Sequence, residues 1–291
     1  MVPESDHSFT GSAGEDTLTR RERYERARRR RSVLIATVST VVVVGALIVL
    51  VPETPGWPRV RKSFFDGEVF AETFPKLVDA FWLDVKILFW STPPILVVSL
   101  LIALARSTRS PVLFPLRAFS VVYTDVLRGI PVILLVYLIG FGVPALGLSR
   151  TWANPLIWGT VTLVLSYSAY VAEIIRGGID NVHESQRAGA RSLGMTHRQT
   201  MTTVVLPQAF RGIVPPMMNS FVSLQKDVAL VSLIGPVEIL RQAGIEKARY
   251  ANFTPYVAAS LIFLAITIPC TRLADWALAR QRSRTGGTAI A

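Results

Sequence analysis

Residues 184–207, ESQRAGARSLGMTHRQTMTTVVLP, form the longest polar run between two strongly apolar regions of this chain. We call them the polar segment. Their sequence predicts a short helix with Asn181 as its N-cap and Glu184, three residues later, completing a capping box. The helix is expected to end at Gly194, because glycine takes the left-handed conformation that ends helices at the least cost.

A second helix is predicted directly after this glycine. Thr196 and Gln199 have the spacing of a second capping box. The helix is expected to end at residue 205 or 206, because Pro207 disfavours helical continuation in the residue before it. The polar segment is therefore predicted to be two short helices that meet at an angle.

One face of the first predicted helix is almost free of side chains. Small residues recur on it at spacings of three and four: Ser185, Ala188, Gly189 and Ser192. The other side carries Glu184, Arg187 and Arg191. A small face lets the backbone of another protein approach closely, so we interpret the polar segment as a cytoplasmic surface that a partner grips. An ordinary loop between membrane spans, with incidental caps, remains an alternative on these residues alone.

The composition indicates a membrane protein. The 291 residues are 51% apolar and 18% charged, whereas soluble domains carry about 25% charged residues. The apolar residues come in blocks near the length of a membrane-spanning helix. The net charge is +11, and much of it lies in residues 20–31. A nucleic-acid-binding arm would explain such a run, but an apolar block follows at once, which favours a flank on the cytoplasmic side of the membrane.

Six membrane spans are predicted, all of them helices. They cover residues 32–51, 83–105, 117–143, 155–175, 213–239 and 256–278. Pro93 and Pro94 are expected to kink the second span. An even number of spans puts both termini on one side. The basic clusters at 20–31, 106–117, 176–211 and 280–284 also fall on that side, which predicts that both termini are cytoplasmic.

Several charged residues fall inside the predicted spans: Asp125, Arg128, Glu173, Lys226 and Asp227. Charge inside a membrane is costly and marks either a solute pathway or an internal ion pair. Asp125 and Arg128 are three residues apart and so share a helix face. Both interpretations stay open. Asp84 and Glu238 lie near span ends and are expected at the membrane interface.

The sequence offers no candidate for catalysis or metal binding. Its one cysteine, Cys270, permits no internal disulfide and no thiolate metal site. Its three histidines lie outside the apolar blocks. No Gly-x-x-x-x-Gly-Lys-Ser/Thr loop is present, so this chain is not expected to hydrolyse ATP by that route. We expect no catalytic residues, no metal site and no cofactor bound by this chain.

Several motifs resemble those of one transporter family. Gly194, nine residues, and then Val204-x-Leu206-Pro207 resemble the end of the EAA signature of ABC importer permeases. Residues 125–131 (DVLRGIP), 169–178 (AYVAEIIRGG), 206–209 (LPQA) and 221–235 resemble its polar amino-acid branch. The resemblance covers about residues 64–280. The chain departs from the signature at Ala188 and Gly189, where the family has Glu and Ala, while Ala190 fits.

The resemblance implies an all-α polytopic fold with a five-helix type I ABC importer permease core and one extra N-terminal transmembrane helix. The implied parts are a cytoplasmic basic tail (1–31), the extra helix (32–51), an extracytoplasmic amphipathic linker (52–80), a core (81–280) with a coupling loop at 180–212, and a cytoplasmic tail (281–291). The implied ATPase-coupling residues are Glu184, Ala188, Gly189, Ala190, Arg191, Gly194, Leu206 and Pro207.

The resemblance also implies partners. A cytoplasmic ABC ATPase dimer would bind ATP and Mg²⁺ and grip the coupling loops of two permease subunits. The second permease is the same chain or a related one. An extracytoplasmic solute-binding protein would deliver an amino acid, and the permease would sit in the bacterial cytoplasmic membrane.

Three alternatives remain on the sequence. An ion-gradient-driven secondary transporter would need no ATPase, and the polar segment argues against it. An ABC permease could serve another small solute. A membrane enzyme or sensor would need a catalytic cluster or a sizeable soluble domain, and the sequence shows neither.

Overall fold

The computed structural model describes residues 20–108 and 110–286, and in that part of the chain all regular structure is helical. The helices are α1 (Arg20–Leu50), α2 (Trp57–Phe64), α3 (Gly67–Ser107), α4 (Phe114–Gly129), α5 (Val132–Gly142), α6 (Pro155–Asp180), α7 (Glu184–Ser192), α8 (His197–Gln199), α9 (Leu206–Asp227), α10 (Ile239–Tyr250) and α11 (Thr254–Gly286). The predicted all-α fold class is confirmed. Most of the predicted 1–31 tail and the end of the predicted 281–291 tail lie outside the described residues.

The chain divides into two compact units, residues 1–60 and 61–291. In the first unit, residues 31–50 of α1 form an apolar stretch long enough to cross a membrane. Its large side chains are exposed all around the helix. This is the pattern of a helix whose solvent is lipid.

Four helices of the described chain are long and apolar enough to span a membrane, or six if each of two bent helix pairs counts as one span. The bent pairs coincide with the predicted third and fifth spans, and the expectation of continuous helices there is wrong. Residues 111–129 and 132–146 meet at 108°. Ile130 is extended, as expected before Pro131, whose ring disfavours the helical conformation in the preceding residue.

The predicted fifth span is also broken. Helix α9 ends at Asp227, a 3₁₀ turn covers Val228–Ile234, and α10 begins at Ile239. The two helical parts meet at 55°. Gly235 has a φ of 134°, which a side chain would strain, and it allows the chain to change direction.

Helix α3 begins earlier than predicted, so the expected boundary between residues 80 and 81 falls inside one helix. The Asp66 side chain accepts hydrogen bonds from the N–H groups of Glu68 and Val69 and so caps α3. Thr73 and Leu77, in the region predicted as a linker, are fully buried. The helix continues without a break through Pro93 and Pro94.

Among the described residues of the second unit, three hydrophobic cores hold the helices together. The first lies among α3, α5, α6, α9 and the 3₁₀ turn, and includes Ile87, Val136, Leu163, Leu224 and Val231. The second joins α3, α10 and α11 through Leu77, Ile239, Ala243, Ala258, Ala259 and Ile262. The third lies beneath the polar segment and consists of Val182, Val205, Ala209 and Ile213. This third core fixes the polar segment to α6 and α9.

Candidate functional site

The turn between the helices of the polar segment has the conformation predicted for it. Gly194 has a φ of 77°. The N–H of Met195 donates to the carbonyl of Ala190 (3.1 Å), and that of Gly194 donates to Arg191 (2.9 Å). These two bonds make a Schellman motif, in which a left-handed residue closes the end of a helix. The prediction that the helix stops at Gly194 is confirmed.

The start of α7 differs from the prediction. Asn181 is not the N-cap, since it is helical and ends α6, and its N–H donates to the carbonyl of Gly177 (2.9 Å). His183 caps α7 instead, with Nδ1 accepting from the N–H of Ser185 (3.2 Å). An N-cap needs a non-helical backbone and a side-chain acceptor, and His183 supplies both here.

The second helix starts as predicted but does not end where predicted. Gln199 N–H donates to Thr196 Oγ1 (3.3 Å), and Thr196 N–H donates to Gln199 Oε1 (2.9 Å), so the capping box is confirmed. Helix α8 continues through a π-helical stretch, Thr200–Val205, into α9. Pro207 does not end the helix: Leu206 directly before it is helical, and its N–H donates to the carbonyl of Met201 in the π-helical pattern.

The exposed face of α7 that carries Ala188 and Gly189 is built from small side chains. Ala188 and Gly189 are exposed, and a Cβ on Gly189 would meet nothing within 4 Å. Ala190, the third position of the signature, is buried. Leu193, which the sequence analysis did not single out, is 83% exposed at the turn. The sequence feature that could have identified Leu193 is its position as a large apolar residue directly before the helix-ending Gly194.

Charged residues of α7 are engaged within the chain. Glu184 pairs with Arg191 (2.6 Å), and both are exposed. Arg187 Nη2 donates to the carbonyl of Ile179 at the end of α6 (2.6 Å). No carboxylate occupies the Ala188 position. Leu206 and Pro207 are exposed where α9 begins.

The charged residues that the sequence places inside spans have different surroundings in the structure and do not form one cluster. Glu173 accepts from Arg106 (2.9 Å) and from Arg176, and Arg128 lies 3.8 Å away. Arg128 thus approaches a residue on another helix rather than Asp125, which is exposed. Asp227 accepts from the Tyr167 hydroxyl (2.8 Å). Lys226 is exposed and makes no ion pair with its neighbour Asp227 within the described residues.

Replacing Glu173 by glutamine is expected to lower the free energy of unfolding by about 2 kcal/mol. The change leaves the guanidinium groups of Arg106 and Arg176 without a counter-charge, and Glu173 is only 22% exposed. Loss of one member of a fully buried pair costs about 3–5 kcal/mol, and partial exposure reduces this. Denaturant titration in detergent measures the change.

Asp180→Asn is the matched control, because Asp180 pairs with the same Arg176 but is 57% exposed. Exposed pairs contribute about 0–1 kcal/mol. Equal losses in the two variants would contradict a structural role for the cluster around Glu173.

Asp84 and Glu238, which were expected near the membrane interface, are both buried within the protein, so their side chains do not extend outward. Glu238 accepts from the N–H groups of Leu240 (3.0 Å) and Arg241 (2.8 Å), and Asp84 accepts from that of Ile239 (3.2 Å). The first N–H groups of a helix have no partner within it and need acceptors. These carboxylates therefore hold the start of α10 next to α3.

The geometry defines a class of protein: a helical membrane protein with broken spans and a short helical segment that projects from α6 and α9. The family model described as binding-protein-dependent transport system inner membrane component matches residues 113–283. The chain belongs to this family, as its resemblance implied.

Individual relatives agree with this assignment. A probable glutamine ABC transporter permease protein of Bacillus subtilis is 33% identical over 162 residues, which are 55% of this chain and 74% of the relative. An arginine transport system permease protein of the same organism is 31% identical over 212 residues, 69% of this chain and 92% of the relative. A solved crystal structure of an amino acid ABC transporter with histidines has a TM-score of 0.67 and 32% identity, and the match covers 72% of this chain and 96% of that one. Within its family the chain is therefore an amino-acid ABC transporter permease.

Proposed function

We propose that the chain is the permease subunit of an importer that moves a polar amino acid into the cytoplasm, driven by a separate ATPase that docks on the polar segment. The observation that carries this is the exposed face of Ala188, Gly189 and Leu193 on a segment joined to two membrane helices. An exposed apolar surface beside small residues is suited to a protein partner.

The polar segment is mechanically connected to the membrane helices in two ways. Arg187 ties α7 to the end of α6. The π-helical stretch Thr200–Val205 runs without interruption into α9. A force that moves α7 would therefore reach both α6 and α9, which supports a role in coupling.

The docking contact would be made by close apolar packing rather than by a carboxylate at the Ala188 position. Glu184 is one helical turn away and is paired with Arg191. Leu193 and the small face of α7 would enter a groove of the ATPase. ATP and Mg²⁺ would bind to that ATPase, in keeping with the lack of a phosphate-binding loop in this sequence.

The further partners would be a second permease subunit, of the same or a related sequence, and an extracytoplasmic solute-binding protein. Both termini would be cytoplasmic, as the basic residues predict. Glutamine and arginine are the substrate classes named for relatives, and they are the first to test.

The test is uptake into proteoliposomes that contain the permease with its co-purified ATPase and binding protein. We expect radiolabelled glutamine or arginine to accumulate only when ATP is present on the side of the membrane that carries the ATPase. We also expect the solute-loaded binding protein to stimulate ATP hydrolysis. Accumulation driven by a proton or sodium gradient without ATP would instead identify a secondary transporter. Uptake of neither amino acid, with another solute stimulating the ATPase, would reassign the substrate class.

A further inference from the structure

Two buried carboxyl groups meet where α10 begins. Asp84 on α3 is 3% exposed, and Glu238, directly before α10, is fully buried. We call these two residues the carboxyl pair. Their side chains are close enough to form a hydrogen bond with each other. An ionised carboxylate only accepts hydrogen bonds, so two ionised groups could not form that bond.

Backbone N–H groups occupy three of the four oxygen atoms of the carboxyl pair. Asp84 Oδ2 accepts from Ile239 (3.2 Å). Glu238 accepts from Leu240 at Oε2 (3.0 Å) and from Arg241 at Oε1 (2.8 Å). The fourth oxygen, Asp84 Oδ1, is buried and has no partner among the described residues. A buried polar atom without a partner is costly, so this oxygen needs a donor or a proton of its own.

No cationic side chain pairs with either carboxyl group within the described part of the chain. Arg241 is exposed, and its Nη1 donates instead to the carbonyl of Ser232 in the 3₁₀ turn (3.1 Å). Lys86 is also exposed. It lies two positions after Asp84, so the two side chains point to different sides of α3.

The other elements packed around the carboxyl pair add no charge. Residues 254–269 of α11 include no charged side chain, and Tyr256 is their one titratable group. The only titratable side chain of α5 is Tyr137, and residues 155–166 of α6 and the 3₁₀ turn have none. Glu246, two turns further along α10, is paired with Lys76 (3.1 Å). Two ionised groups would thus repel each other out of water with no cation to offset the repulsion, which strongly disfavours that state.

We propose that the carboxyl pair is a proton-binding site, in which Asp84 Oδ1 carries one proton and donates it to the Glu238 carboxylate. Asp84 rather than Glu238 holds the proton, because both Glu238 oxygens already accept from N–H groups and an ionised carboxylate is the stronger acceptor. Together with the bond from Ile239, the shared proton fixes the start of α10 to α3.

The site lies near the membrane face opposite the polar segment. Asp84 and Arg106 are 22 positions apart on the continuous α3, which is about 33 Å at 1.5 Å per residue. Arg106 pairs with Glu173 near the end of α6, where the polar segment begins. The folded protein holds a proton that the unfolded chain releases above about pH 5. The stabilisation is therefore complete below that pH and is lost as the pH rises.

Asp84→Asn tests the site by imitating the protonated acid. Its amide N–H donates to Glu238 and its oxygen accepts from Ile239, and it has no proton to lose. The thermal midpoint of the full-length protein is measured in detergent from about pH 5 to about pH 9. We expect the variant and the wild type to melt alike at the acid end. The variant should then gain about 3 °C over the wild type for each further pH unit, until the wild type has released its proton.

Glu246→Gln is the matched control, because Glu246 is an equally buried carboxylate of α10 that has a cationic partner, Lys76. It should lower the midpoint and leave its dependence on pH as in the wild type. Asp84→Asn that is less stable than the wild type over the whole pH range would show that the carboxylate charge is needed, and would overturn the proposal. Recovery of wild-type stability at the alkaline end by sodium or potassium at constant ionic strength would assign the space to a metal cation and would also overturn it.

Infrared spectroscopy detects the proton directly. A protonated carboxyl group has a C=O stretching band that is separate from the bands of carboxylates. We expect this band in the wild type at neutral pH, its loss in Asp84→Asn and its presence in Glu246→Gln. A wild-type protein without the band at neutral pH would contradict the proposal, whether or not Asp84→Asn assembles. Neither measurement uses solute, ATP or a partner protein, so the outcome is independent of the proposed function.

Discussion

Gly194→Val is expected to abolish ATP-driven uptake while the protein remains folded in the membrane. Gly194 has a φ of 77°, and a left-handed conformation costs a residue with a Cβ about 1–2 kcal/mol, with the β-branched valine disfavoured most. A Cβ at this position meets nothing within 4 Å, so the cost comes from the backbone and not from a clash. The chain can relieve it only by changing the turn that sets α7 against α8.

The measurement compares uptake, ATP hydrolysis and the amount of assembled complex. We expect uptake at background, ATP hydrolysis no longer stimulated by the loaded binding protein, and normal assembly. Gly147→Val is the matched control, because Gly147 has a φ of 79° with nothing within 4 Å of a Cβ and lies outside the polar segment. If both variants transport like the wild type, or if both fail equally, the Gly194 turn has no special part in coupling.

Local chemistry explains which features of the polar segment could be predicted. The Gly194 turn and the Thr196–Gln199 box depend on residues within a few positions of each other, and both are present in the structure. The choice of N-cap for α7 depended on where α6 ends. Helix α6 extends to Asp180 and Asn181 is its C-cap, so the N-cap of α7 is His183.

The helix breaks were harder to predict because the apolar pattern continues through them. The sequence from Gly129 to Pro131 contained the signal for one break, and Gly235 with the proline after it contained the signal for the other. Length and hydropathy alone favoured continuous spans at both places. The membrane can tolerate such breaks where the freed backbone groups are buried against protein, and sequence periodicity does not reveal that.

Contacts between distant residues could not be predicted from one sequence. Glu173 meets Arg106 across 67 positions, and Asp84 meets the start of α10 across 155 positions. Spacing along a helix placed Arg128 on the same face as Asp125 and gave no sign of its approach to Glu173 on another helix. The direction of the Lys226 and Asp227 side chains likewise depends on where the 3₁₀ turn begins, since adjacent helix positions point to different sides.

Gly178→Val is expected to destabilise the packing of α6 on α9 more than other single changes in this part of the bundle. A Cβ at Gly178 would lie 2.2 Å from Ile213 Cγ1 and 3.3 Å from the carbonyl oxygen of Ala209. Small residues at such crossings allow membrane helices to approach closely, and overpacking a core costs about 1–3 kcal/mol. The loss should be measurable as a lower thermal midpoint of the detergent-purified protein.

Two further variants separate this steric cause from a general effect of valine in α6. Gly177→Val changes the adjacent residue, where a Cβ meets nothing within 4 Å, and it should leave the midpoint near that of the wild type. Ile213→Ala should restore part of the stability when combined with Gly178→Val, because it removes the atoms that the new side chain strikes. Ile213 belongs to the core beneath the polar segment. Loss of that contact should therefore also weaken the stimulation of ATP hydrolysis by the loaded binding protein. Recovery of this stimulation in the double variant would show that coupling depends on this helix crossing. Equal losses of thermal midpoint in Gly177→Val and Gly178→Val would refute the steric explanation.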